Sequence, residues 1–496
     1  MSRFFVAVAV AGLTGLAWAK RYALDEFQYS HAAWLVAQGK VPHRDFFEFH
    51  FALPYEALSL LWWTSDPQGI RWLRLGMVAV VALAVWAMAR LNRDHGALAP
   101  LLAVTAPAFV LRGIEIRPDP FAFALYLLAV VAFAARRAAL SGALLGLAVL
   151  STQKVLLYGA PFLIVLFLER THARRWLAGL CGVLAAQALF LLATGSASAW
   201  WQQTWVFAIE HERAYPGFSA WRYLGPALKE QPGLFVLAFA GLVVTFVRWR
   251  RERSSVELLL MLSLGTTLFS FCFARAPFPY ALVPFAGMAA LFAARTGRAG
   301  VVLGALVIAH GLWTLRGTET NAQQHEVLAK LGRLTVPADP VWDSSGGASA
   351  RPHVGFRFYT NALIHQAEAK TLGPRIASEI RAAGCTAALR DVRFPWLPDD
   401  ARAFIDSHFQ PYDGDIWLWG QRIEGRGTFE AVRTATYFVE PPGPVRIDGE
   451  LITAPTFVLQ RGLHDVEGDV FVLWLPASRE RWRPDFDAKP VFSTMF

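Results

Sequence analysis

Apolar and polar positions alternate along this chain in long blocks, and the blocks set its architecture. Apolar stretches of helical length lie near 4–19, 72–90, 96–111, 120–135, 138–152, 155–168, 176–193, 232–249, 256–273, 279–295 and 299–315. A bilayer core asks for about 20 apolar residues per helix, so these predict some eleven membrane spans, several of them short. The stretch 138–168 also reads as one long helix interrupted at Lys154. Two short helices turning at Ser151-Thr152-Gln153-Lys154 fit the later loop charges better. Residues 316–496 break the pattern. Gln323 to Leu334 and Arg375 to Ala383 have helical spacing, while Pro340 to Asp343, Ala387 to Asp391 and Asp415 to Arg422 have strand character. After Gly427, Ala435–Val439, Val445–Ile447, Thr456–Leu459 and Val470–Leu475 alternate between turn signals.

These blocks predict an α-helical polytopic membrane protein followed by an extracytoplasmic α/β module and a small β-sandwich. The expected domains are a membrane domain over 1–315, with a large first outer loop at 20–71, the α/β module over 316–426 and the sandwich over 427–496. Ile447-Asp448-Gly449-Glu450 and Leu463-His464-Asp465-Val466 resemble strings in carbohydrate-binding modules of envelope proteins, and a ligand-free hairpin sandwich fits them as well.

Composition agrees: 55% of the 496 residues are hydrophobic and 17% are charged, outside the ordinary soluble balance. The net charge of +9 would suggest nucleic acid in a soluble protein; here it sits in the loops and reports topology, and no nucleic-acid partner is expected. One set of alternating loops holds Arg3, Arg90, Arg93, Arg136-Arg137, Arg170, Arg174-Arg175, the run Arg248 to Arg253, Arg295 and Arg298. The other holds Asp25, Glu26, Asp45, Glu48, Glu115, Asp119, Glu210 and Glu212. Basic short loops mark the cytoplasm, so the N-terminus is expected inside and residues after about 316 outside. Ala17-Trp18-Ala19 also fits a signal-peptidase site, and Asp25 lies outside with or without cleavage. Three cysteines, two of them in apolar spans, make no disulfide framework.

Candidate chemistry collects on the outer side. Asp25-Glu26 is a carboxylate pair just past the first span, suited to general-base or metal-ligand work. The plainer reading is a solvated loop start, or N-terminal charge on a helix beginning at Phe27. The first loop continues with Gly39-Lys40-Val41-Pro42-His43-Arg44-Asp45-Phe46-Phe47-Glu48-Phe49-His50. The second brings Arg112, Glu115, Arg117 and Asp119, the third Lys154, and the fourth Arg275-Ala276-Pro277-Phe278-Pro279-Tyr280. Plainer readings stay open for these too: Asp119 as a helix cap, Arg275 snorkelling, Lys154 marking an interface. A buried Lys154 would need an anionic partner.

The order of Asp25-Glu26, Gly39…Asp45-Phe46-Phe47-Glu48, Pro54-Tyr55, Asp119, Gln153-Lys154 and Arg275…Pro279-Tyr280…Pro284 resembles the GT-C class of integral-membrane glycosyltransferases. Protein O-mannosyltransferases and the lipid A aminoarabinose transferase are the nearest types, and the resemblance covers roughly the first 320 residues. It implies a bacterial inner-membrane enzyme that moves a sugar from a polyprenyl-phosphate donor to a hydroxyl of a lipid, glycan or protein acceptor, with inversion. It further implies Asp25 as base, with Glu26 or Asp119 orienting acceptor or sugar. Lys154, Arg275 and Tyr280 would meet the donor phosphate, and Asp45 and Arg117 other parts of the substrates. Glu48 matches an acid that helps hold a divalent metal in the lipid A transferases, and His50 would join it. This chain has Phe49-His50 where those relatives carry Lys-Pro-Pro, so a divalent metal stays open and no other cofactor is implied. A transporter, or a non-catalytic envelope sensor or scaffold, is the alternative class. Against a transporter, the ionisable residues cluster at the outer surface rather than mid-span.

Overall fold

A computed structural model of the chain describes residues 3–92, 96–214, 217, 219–274, 277–355, 369–478 and 490–492. The chain divides into two compact units. The first takes 1–20, 39–61 and 71–320; the second takes 21–38, 62–70 and 321–496.

Unit one is helical. Helices stand at the expected apolar positions, among them Arg3–Ala19, Ile70–Leu91, Pro118–Ala134, Ala138–Val149, Ala173–Ala193, Pro232–Glu252, Ser255–Phe273 and Arg298–Leu315. Among the described residues four helices are long and apolar enough to cross a membrane: Pro67–Leu91, Ala173–Ala193, Pro232–Glu252 and Ser255–Phe273. A fifth is added if the bent pair Pro107–Gly113 and Pro118–Ala134 is one span. Shorter apolar helices fill other expected places. The stretch at 138–168 is several short helices rather than one, with Ser151–Lys154 turning between Val149 and Val155. The expected 96–111 span is broken where Pro107 opens a new helix after an extended Ala106, since the residue before a proline is driven out of helical conformation. Outward-facing apolar side chains such as Phe167, Leu189, Val236 and Phe239 suit a lipid-facing surface.

Close packing explains where small residues sit. A Cβ on Gly142 would meet the Trp176 carbonyl oxygen at 1.9 Å, and one on Gly179 the Ala139 oxygen at 1.9 Å. The Ala138–Val149 and Ala173–Ala193 helices therefore approach backbone to backbone.

Unit two joins the Leu24–Ala37 helix to the C-terminal part. The helix starts at Leu24, three residues earlier than the sequence suggests. The Glu26 carboxylate accepts the Ala23 amide N–H at 2.8 Å and so caps the first turn. Among the described residues eleven strands follow: β1 Val341–Asp343, β2 Ala387–Leu389, β3 Phe409–Asp413, β4 Ile416–Ile423, β5 Arg426–Ala431, β6 Ala435–Glu440, β7 Val445–Ile447, β8 Glu450–Ile452, β9 Thr456–Leu459, β10 Gly462–Glu467 and β11 Val470–Trp474. One sheet runs β1-β2-β4-β11-β6-β9 with β3 on β4, and a second runs β5-β10-β7-β8. β1 and β2 are parallel, and the other pairs are antiparallel. The first sheet carries strands from both expected C-terminal regions, because β11 pairs with both β4 and β6.

Candidate functional site

In unit one, a link of four residues does most of the positioning. Pro107–Gly113 and Pro118–Ala134 meet at 109° across residues 114–117. Pro118 presets the first helical turn and holds Arg117 extended, at φ −148° and ψ 153°. The bend turns Glu115 and Arg117 inward, and both side chains are fully buried.

Glu115 gathers three cations. Its Oε1 accepts from Lys20 Nζ and from Arg112 Nη1, each at 2.7 Å, and its Oε2 accepts from Arg117 Nε at 2.7 Å. Lys20 follows the first helix, and the carbonyls of Ala17 and Lys20 accept from the buried Arg74. Asp119, in the first turn of its helix, accepts from Lys154 Nζ at 2.8 Å, giving the lysine the anionic partner the sequence calls for. Tyr280 joins the two groups: Arg117 Cζ lies 4.0 Å and Lys154 Nζ 4.8 Å from its ring centre. Among the described residues of this cluster four cations, Lys20, Arg112, Arg117 and Lys154, face two carboxylates, Glu115 and Asp119. Charge-assisted bonds of this kind are the strong class, and a partly buried cluster rich in cations suits a bound anion. Arg275, the other expected phosphate ligand, lies outside the described residues.

The loop at 39–50 makes a separate cluster. Asp45 accepts from Val41 N at 2.7 Å and from the Arg44 guanidinium, and these two contacts hold its carboxyl down at about 2. Gln203, in a π-helical turn at Gln202–Val206, clamps the loop by donating to His43 O and accepting from Glu48 N, each at 2.9 Å. Glu48 Oε1 accepts from the His50 backbone N–H at 2.9 Å and lies 2.8 Å from His50 Nδ1. The buried Glu48 Oε2 makes no hydrogen bond. Glu48 and His50 are thus adjacent, as a metal would require. However, among the described residues no three His, Cys, Asp or Glu side chains are grouped to hold an ion.

In unit two, Asp25 lies in the first turn of Leu24–Ala37 and its Oδ1 accepts from Arg393 Nη2 at 2.5 Å. Arg393 follows β2 in the loop led by Asp391. Asp391 is buried and accepts from Arg393 N at 2.7 Å, Ser344 Oγ at 2.6 Å and Ser345 Oγ. Burial raises its carboxyl above the ordinary range. Beside it Asp343, at the end of β1, accepts from the amides of Ser345, Gly346 and Ala348 and lies 3.4 Å from His353 Nε2; these contacts hold its carboxyl low. Burial and the neighbouring His353 push His31 down to about 3, so that ring stays neutral.

No family model matches this chain, and no curated protein matches it. Its backbone does match solved structures. ArnT from Cupriavidus metallidurans bound to undecaprenyl phosphate superposes with a TM-score of 0.59 at 12% identity, over 84% of this chain and 98% of that one. The same protein in the apo state gives 0.60 at 15% identity, over 84% and 97%. The chain has the GT-C fold. Identities this low carry the fold and no residue roles, so the GT-C frame leaves the site to the chemistry of its own side chains. Of the residues read from sequence, Asp119, Lys154, Tyr280 and Arg117 come together in unit one, while Asp25 and Glu26 belong to unit two. Sequence reading left Lys20 and Arg393 out. The local spacing of Arg112, Glu115 and Arg117 was the available signal for the Glu115 cluster, whereas no local pattern links Asp25 to Arg393.

Proposed function

We propose that this protein is a polyprenyl-phosphate-dependent glycosyltransferase of the plasma membrane, bacterial in type, working on the outer face. Its acceptor is a hydroxyl of a lipid, glycan or protein. The observation that carries this reading is the gathering of Lys20, Arg112, Arg117 and Lys154 around Glu115 and Asp119, on a fold similar to that of a solved structure bound to undecaprenyl phosphate. Lys154 and Tyr280, with Arg275, take the donor phosphate, and Arg117 meets other parts of the substrates. As the acceptor oxygen bonds to the anomeric carbon, the bond from that carbon to the phosphate oxygen breaks with inversion. Polyprenyl phosphate leaves with the electron pair, and cations preplaced at that oxygen stabilise the charge that develops. The acceptor proton passes to the Asp25 carboxylate. Glu26 and Asp119 orient the reacting groups. Asp45 contacts other parts of the substrates.

Purified protein in vesicles, supplied with polyprenyl-phosphate sugars and an envelope lipid extract, tests the reading. Sugar transfer with matched release of polyprenyl phosphate is expected. Solute flux without any transfer would replace the enzyme with a transporter.

A further inference from the structure

We propose that Arg393 is a positioning residue of the transfer reaction, holding the Asp25 carboxylate in the orientation and ionised form that accept the proton. The inference rests on the assignment of Asp25 as base. Its observation is the pair itself: Arg393 Nη2 lies 2.5 Å from Asp25 Oδ1, with the arginine side chain 1% and the aspartate side chain 12% exposed. The two residues are 368 positions apart, so the pair exists only in the folded unit.

Both partners are braced from behind. Arg393 N donates to Asp391, itself fixed by Ser344 and Ser345, and Arg393 O accepts from Trp396 N at 2.9 Å. Val392 N donates to Phe492 O at 2.9 Å, while the Phe492 ring meets Phe27 of the Leu24–Ala37 helix edge-on at 5.3 Å. The helix carrying Asp25 and the loop carrying Arg393 are therefore tied to one buried phenylalanine. A buried ion pair is a poor stability device, because desolvation offsets most of its attraction and an apolar pair of similar size does as well. Setting the charge and direction of one carboxylate is a better account of its place here. A guanidinium neighbour favours the ionised carboxylate, the form that takes a proton.

The test compares Arg393→Gln, Arg393→Lys and Asp25→Asn, each scored per folded molecule. Arg393→Gln should lower kcat about ten- to hundred-fold with KM for donor and acceptor little changed. Arg393→Lys, which keeps charge but loses the fork, should fall between it and wild type. In the Asp25→Asn background, Arg393→Gln should cost nothing further. A purely structural arginine would instead reduce the amount of folded protein and leave kcat intact. If Arg393→Gln does not accumulate, Arg393→Lys decides alone: lowered kcat at unchanged KM supports the inference, and wild-type kcat overturns it. An inactive Asp25→Asn beside fully active Arg393 variants overturns the positioning role only. A fully active Asp25→Asn removes the base assignment beneath it.

Discussion

The two units treat charge in opposite ways. Around Glu115 and Asp119 in unit one, four cations among the described residues share two carboxylates, and the basic side chains converge from three separate segments. In unit two, Arg393 pairs with Asp25 and also lies beside the buried carboxylate of Asp391. A cluster rich in cations suits an anionic ligand, whereas an arginine held beside carboxylates suits fixing the form and direction of one of them. The contrast underlies the proposal that Lys154 meets the departing phosphate and that Asp25 takes the acceptor proton.

Removing the base should give the largest effect. Asp25→Asn keeps size but loses the proton-accepting oxygen, and a general base contributes about 10²–10⁴-fold. Transfer should fall by that factor at unchanged membrane abundance. Near wild-type transfer would reduce Asp25 to a helix-start charge and collapse the contrast.

Thinning the surplus should cost less. Lys154→Met removes one charge-assisted phosphate contact, worth about 1.5–3 kcal/mol, so donor use should drop roughly ten- to hundred-fold while acceptor KM holds. Lys154→Arg should recover part of the loss. Equal losses for donor and acceptor would show that Lys154 only braces Asp119.

The smallest effect concerns a carboxylate with neither arrangement. Asp415 accepts from Val491 N at 2.7 Å and Phe492 N at 3.3 Å, and burial lifts it from 3.8 to about 6. A raised folded-state value means that protonated Asp415 stabilises the fold below about pH 4, and this contribution is lost as pH rises through 6. Asp415→Asn should therefore match wild type at pH 4 and melt a few degrees higher at pH 7, with thermal denaturation across pH as the readout. Parallel melting curves at all pH values would contradict it.

Much of this was legible in the sequence because it is periodic or local. Apolar runs placed the helices, and alternation placed β6, β7, β9 and β11 to within a residue or so. Lys154 announced its need for an anion by lying in an apolar stretch, and Asp119 meets it. What stayed hidden depends on distant pairing. Lys20 meets Glu115 across 95 positions, and Arg393 meets Asp25 across 368. The early start of the Leu24–Ala37 helix depends on the Glu26 carboxylate capping the Ala23 amide, a contact that no apolar run announces.

The division of labour between phosphate and proton is tested most directly by equilibrium binding of polyprenyl phosphate to wild type, Lys154→Met and Asp25→Asn. Affinity is predicted to fall about ten- to hundred-fold in Lys154→Met and to stay at the wild-type value in Asp25→Asn. Undiminished binding by Lys154→Met, or weakened binding by Asp25→Asn, would contradict the account.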